Sequence, residues 1–197
     1  MFPIIPANTV AEAAGNSEGI FGYGYADASG AVSITNLVSN VGVVADDVAG
    51  VGTARYSMAA CEYGGDKGIF GYGYGDYSMT NLVSNTGVVG SDVTGVGSGR
   101  FALAACGYGE DKGIFAFGKD FDVSPNQVSI KNLVSNTGVV ASDATGVGTA
   151  RFDLAACEYG EDKGIFGFGR TASNLSMTNL VSNAGVVASD VTGVGTA

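Results

Sequence analysis

Two charged positions recur along this chain at matching places, and both are of types that can bind or catalyse. Asp47, Asp92, Asp143 and Asp190 each stand three residues before a Gly-Val-Gly segment, and Arg55, Arg100 and Arg151 each stand three residues after one. Carboxylates repeated around a ring could hold Ca²⁺, but calcium asks for six to eight oxygens at one site. No Asp-x-Asp-x-Asp loop is present. The local reading is preferred: each Asp caps its own turn through a side-chain hydrogen bond. The arginines then pair with these acids between units, where a partly buried ion pair fixes register. An anion site on the arginines is disfavoured, because nothing Gly-rich here forms a phosphate-binding strand-to-helix loop.

Cys61, Cys106 and Cys157 form a third set, each seven residues before a Gly-Ile-Phe. Were they to converge on an axis, thiolates could hold zinc, which takes four protein ligands or three with water. No fourth equivalent Cys exists and the chain has no histidine. An odd number at equivalent positions does not suit a disulfide framework. Reduced thiols in a tightly packed Ala-Ala-Cys run are expected, consistent with an intracellular assembly compartment. Without histidine, a Ser–His or Cys–His nucleophile is excluded. A carboxylate pair could still act as acid and base, as in glycosidases, but these acids are symmetric and an active site breaks symmetry. A hydrolase is therefore the least favoured class. No catalytic residue, metal or cofactor is expected.

These positions belong to a fourfold repeat. Asn-Leu-Val-Ser-Asn begins at Asn36, Asn81, Asn132 and Asn179, and Gly-Ile-Phe begins at Gly19, Gly68, Gly113 and Gly164. From each Asn-Leu-Val-Ser-Asn to the next Gly-Ile-Phe the distance is always 32 residues, while the return distance is 17, 13, 19 and 15. Each unit thus has a rigid part and one variable loop. Units this small cannot each bury a core alone and must pack on one another.

Composition narrows the partners. Charged residues make up only 14%, which excludes a charge-driven disordered chain. The net charge of −10 argues against nucleic acid, since phosphate binding needs clustered Lys and Arg. No stretch approaches the ~20 apolar residues of a membrane span, so membrane insertion is not expected. The opening Met1–Asn8 lacks a basic region and carries two prolines, so it reads as mature chain and not as a signal peptide.

Within the second unit, Arg55–Cys61 reads as a first strand and Tyr63–Gly68 as a turn. Ile69–Tyr74 alternates aromatics with glycine, the period of a second strand. Ser78–Ser84 is a third, Asn85-Thr86-Gly87 a turn, and Val88-Val89 opens a short fourth. No stretch has sustained helical spacing. Four short strands in a unit of this length match the blade of a β-propeller.

The Arg-led first strand, the second strand ending in glycines and the variable segment before the third together resemble the kelch repeat. Here its double glycine is Gly71-Tyr72-Gly73 or Gly167-Phe168-Gly169, Ala116-Phe117-Gly118 in the third unit, and its fourth-strand tryptophan is absent. Asp66–Gly73 followed by Ser78–Val89 is also similar to repeats in structural proteins of tailed bacteriophages. That resemblance implies a virion component, of tail, fibre or capsid surface, assembled in the host cytoplasm.

The expected fold is all-β: a four-bladed β-propeller, one domain over 1–197, with blades about 8–54, 55–99, 100–150 and 151–197 and an N-terminal docking segment at 1–7. Asn8–Gly15 would supply the first strand of the first blade. A closed ring avoids exposed sheet edges; an open solenoid or a homo-oligomer sharing blades is the alternative. Alternating strands put the near-constant turns on one face and the variable loops on the other. The variable face carries Tyr25, Asp27, Tyr74, Asp76, Tyr77, Lys119, Asp120, Phe121, Asn126, Arg170 and Asn174. Loops on a rigid scaffold are a usual place for binding, although loops also drift where nothing constrains them. The expected role is structural and binding, with other virion proteins and a host-surface glycan or protein as partners. A free carbohydrate-binding lectin is the alternative.

Overall fold

The computed structural model describes residues 18–196. The expectations for Asn8–Gly15 and for the docking segment at 1–7 therefore lie outside the described residues. Those described are all-β, with eleven strands in four antiparallel sheets. The first sheet pairs β1 (Gly19–Ala26) with β2 (Gly30–Val38). The next joins β3 (Ala59–Tyr63), β4 (Lys67–Gly71) and β5 (Thr80–Val83). Then come β6 (Ala104–Tyr108), β7 (Lys112–Ala116) and β8 (Lys131–Val134), and finally β9 (Ala155–Tyr159), β10 (Lys163–Gly167) and β11 (Thr178–Val181). In units two to four the Gly-Ile-Phe strand is central, flanked by the Ala-Ala-Cys and Asn-Leu-Val strands.

Three boundaries differ from the sequence expectation, each for a backbone reason. The first strand begins at Ala59, not Arg55, because Ser57 has a left-handed φ of 54°, as have Ala102 and Asp153 in the next units. The strand expected to run through Tyr74 stops at Gly71, because Tyr72 has φ 66°. Tyr23, Phe117 and Phe168 share this conformation, which is rare for a bulky side chain. The fourth strand is reduced to isolated bridges, Thr80 with Val93 and Val83 with Val89. Between them the Asn81 side chain takes the Gly90 carbonyl at 3.0 Å, replacing a ladder bond.

The left-handed aromatic is what ties units together. Turned out of its strand, Tyr72 lies edge to face with Phe115 of the next unit at 5.1 Å, beneath the guanidinium of Arg100 at 4.2 Å. Tyr23 is held in the same way by Phe70 and Arg55, and Phe117 by Phe166 and Arg151. Ring pairs and cation–π contacts of this kind offset the cost of the backbone conformation. The core accordingly forms three clusters, one at each junction between consecutive units. The substantial contacts between strands of different units also link consecutive units.

The series is open. Phe70, Phe115 and Phe166 are buried against the preceding unit, whereas Phe21 is 64% exposed. At the other end Phe168 is 48% exposed, whereas Tyr23, Tyr72 and Phe117 are buried. Closure of four units on themselves is not formed among the described residues.

Candidate functional site

The two faces differ as alternating strands require. On one, Asp66 receives both Lys67 at 2.6 Å and Asn85 of the neighbouring turn at 3.1 Å, tying the two near-constant turns together. Asp111 and Asp162 repeat the arrangement with Lys112 and Asn136, and with Lys163 and Asn183.

The other face gathers rings and cations into one stripe across all four units. Tyr25 meets Tyr56 edge-on at 5.1 Å, and Tyr56 stacks on Tyr74 at 4.9 Å with 18° between planes. Tyr74 touches Phe101 at 5.0 Å and Phe121 at 5.7 Å, and those two rings are 4.7 Å apart. Phe101 bridges to Lys119, whose ammonium lies 3.9 Å from the ring centre of Phe152. Arg170 covers the same ring at 4.8 Å and pairs with Asp153 at 2.7 Å. Tyr25, Tyr74 and Phe121 remain exposed. Of the expected binding residues the stripe includes these three with Lys119 and Arg170.

The remainder serve the loops. Asp120 is buried and accepts from the Asp122 amide at 2.8 Å, while its own amide donates to the Asn126 carbonyl at 2.9 Å. Burial, and then the charges of Asp120 and Asp122, push the Asp76 carboxyl above its ordinary range, against a hydrogen bond from the Phe121 amide. Tyr77 folds over Gly75, Asn174 bridges to Arg170, and Asp27 sits in the exposed β1–β2 turn. Sequence reasoning missed Tyr56, Phe101 and Phe152. Their signal was present: an aromatic follows the arginine in every Arg-led unit.

The symmetric arginines and acids meet within one unit, not between units as expected, and through a residue not singled out beforehand. Arg55 Nη2 donates to Asn81 Oδ1 at 2.5 Å, and Asn81 Nδ2 donates to Asp92 Oδ1 at 2.9 Å. Direct Arg55–Asp92 contact is longer, at 3.7 Å. The expectation that each Asp caps its own turn is corrected. Asp92 accepts the Thr53 amide and hydroxyl, at 2.9 and 2.7 Å, from the end of the preceding unit. Ser98 serves Asp143 and Thr149 serves Asp190 in the same way, and Asp47 takes Asn36 at 2.8 Å. Gly52 must be glycine for this approach, since its φ is 77° and a Cβ there would lie 2.3 Å from Asp92 Oδ1.

These acids are thus occupied structurally, and their titration carries a sign. Burial pushes the Asp92 carboxyl up, but hydrogen bonds from Thr53 and Asn81 and the Arg55 charge outweigh it and hold the group below its ordinary 3.8. Asp143 and Asp190 are depressed likewise. Their stabilisation is complete above the ordinary value and lost as pH falls through the lower folded one. Denaturant midpoints are therefore expected to hold from pH 7 to 5 and to drop below about pH 4. Asp92→Asn should flatten that acid limb, read by tyrosine fluorescence.

The cysteines point into the junctions and carry no site. A Cβ on Gly113 would lie 2.6 Å from Cys61 Sγ, and one on Gly164 would lie 2.5 Å from Cys106 Sγ. Burial pushes Cys61 up strongly and Cys106 up to about 12, so both stay thiols. All three cysteines are free. Among the described residues no group of three or more His, Cys, Asp or Glu side chains is placed to hold a metal ion.

One acid pair crosses a whole unit. Glu62 of unit two faces Glu158 of unit four, over Gly107, whose amide donates to Glu158 at 2.9 Å. Burial and then the Glu158 charge raise the Glu62 carboxyl. A raised folded value penalises stability at neutral pH, and the penalty fades as pH falls. Glu62→Gln should therefore raise the unfolding midpoint at pH 7, by under about 1 kcal/mol for so exposed a pair, and leave it unchanged at pH 4.

Neither a protein-family model nor a curated protein matches the chain.

Proposed function

We propose that this chain is a non-enzymatic structural and binding protein, its four units blades of a β-propeller, and that it belongs to a bacteriophage particle. Its variable face meets a host-surface glycan or protein, and its other surfaces meet virion proteins. The observation that carries the binding role is the stripe from Tyr25 to Arg170, with three exposed rings on a rigid sheet scaffold. Aromatic rings with a polar edge suit the apolar faces of sugars and the planes of peptide groups. The repeated acids and arginines are engaged with one another, which leaves the loops as the surface that varies between units. The Glu62–Glu158 meeting supports propeller geometry, because it brings the first strands of alternate units toward one inner side. The virion setting rests on the similarity of the repeats to those of phage structural proteins.

The test is titration of the full-length protein with a panel of bacterial O-antigen and capsular oligosaccharides, alongside copurification with phage particles on a density gradient. Tyr74→Ala and Phe121→Ala should each weaken glycan binding about tenfold or more, which is about 1.4 kcal/mol. Glycan binding without copurification would favour a free lectin. Binding that survives both substitutions would remove the stripe as the site.

A further inference from the structure

The chain builds one kind of junction three times and leaves both halves of a fourth exposed. At the junction of units three and four, Cys106 Sγ meets Gly164, the Tyr108 ring lies 3.0 Å from where a Cβ on Gly185 would stand, and Phe117 meets Phe166. Unit four presents the first half of that junction again, to solvent. Cys157, Tyr159 and Phe168 are exposed, whereas Cys106, Tyr108 and Phe117 are buried.

Unit one presents the second half. A Cβ on Gly42 would meet nothing within 4 Å, whereas at Gly87, Gly138 and Gly185 it would strike a leucine or tyrosine of the preceding unit. Among the described residues a Cβ on Gly19 would meet Val38 of its own hairpin and nothing else. Phe21 stands free where Phe70, Phe115 and Phe166 are covered. Small residues on one end match large ones on the other, as in the two completed junctions that join units two to four, and the aromatic pair recurs between units one and two as well.

We propose that a second copy of this chain completes this junction head to tail. Phe21 of one copy packs on Phe168 of the other, Gly19 receives Cys157, and Gly42 receives Tyr159. The occupant is a copy of this chain because the pairing continues an interface already formed twice from the same residue types, with its aromatic pair formed three times. Head-to-tail contacts close into rings where the rotation permits and otherwise propagate. Two chains of four units fall within the four to eight blades usual for propellers. The ring, but not the contact, rests on reading the units as propeller blades.

Gly19→Cys tests the contact through native Cys157. The completed junctions hold the corresponding atoms close enough for disulfide formation after a small adjustment. Mild oxidation of full-length protein should give chain-to-chain disulfides on non-reducing gels, and Cys157→Ser in the same background should abolish them. Light scattering of wild type should report a multiple of the one-chain mass. Phe21→Asp should return it to one chain and remove the concentration dependence of its melting midpoint, since Phe21 is exposed within the single chain. One-chain mass at every concentration, with the introduced thiol still free, overturns the proposal. A disulfide inside a single chain also overturns it and favours a four-bladed ring closed on its own ends. Tyr74→Ala leaves these readouts unchanged, so the binding role and the assembly fail separately.

Discussion

Arg100→Met is expected to cost about 3–5 kcal/mol in equilibrium denaturation, the range for breaking a buried charged network from one side. Arg100 is fully buried, with Nε donating to the Phe117 carbonyl at 3.0 Å and Nη2 donating to Asn132 Oδ1 at 2.7 Å. Methionine fills much of the volume but donates nothing. The Asn132 oxygen and the Phe117 carbonyl would then be left without this donor, and Tyr72 would lose the cation above its ring. The matching change in the last unit separates this account from mere loss of bulk. Arg151 Nη2 and Asn179 Oδ1 are already without partners, and the aromatic whose carbonyl Arg151 caps, Phe168, is half exposed. Arg151→Met should therefore cost less, by about 1–3 kcal/mol, the penalty of newly orphaning a buried acceptor. Equal losses at the two arginines would refute the hydrogen-bond account.

Phe115→Ala should cost a similar amount, about 3–5 kcal/mol, through lost transfer energy and the cavity left behind. The Phe115 ring is fully buried, and it occupies the space that a Cβ on Gly71 would enter, 2.8 Å from its Cζ. Phe21→Ala is the internal control. It removes the same side chain from the same repeat position, but from an exposed site, and should stay within about 0.5 kcal/mol in a single chain. A large effect at Phe21 in dilute monomer would mean that the end of the series is covered.

Much of this was legible because the repeat carries it. Gly-Ile-Phe and Asn-Leu-Val lie in strands as their alternation predicts, and Tyr25, near the end of β1, shares one stripe with Tyr74, Phe121, Lys119 and Arg170. The left-handed aromatic was not legible. Gly71-Tyr72-Gly73 has the period of a strand, and a positive φ on tyrosine is locally disfavoured. Only the Phe115 and Arg100 contacts of the next unit make it favourable. Asn81 was hidden for a related reason. Its place at the head of a strand motif concealed a side chain that reaches both Arg55 and Asp92. The pairing of Asp92 with Thr53, 39 positions earlier, likewise belongs to the packing of two units and to neither alone.

The constant distance of 32 residues between one Asn-Leu-Val-Ser-Asn and the next Gly-Ile-Phe spans the stretch that carries one acid, the Thr or Ser that clasps the acid of the next stretch, and the arginine. Unequal crossing-over between two repeats of the gene therefore deletes or duplicates a unit without creating a new kind of junction. A lineage can change its number of units in one genetic event, with every surviving junction already selected. Each duplicated unit arrives with its own loop, free to diverge while the scaffold keeps the spacing that its junctions need.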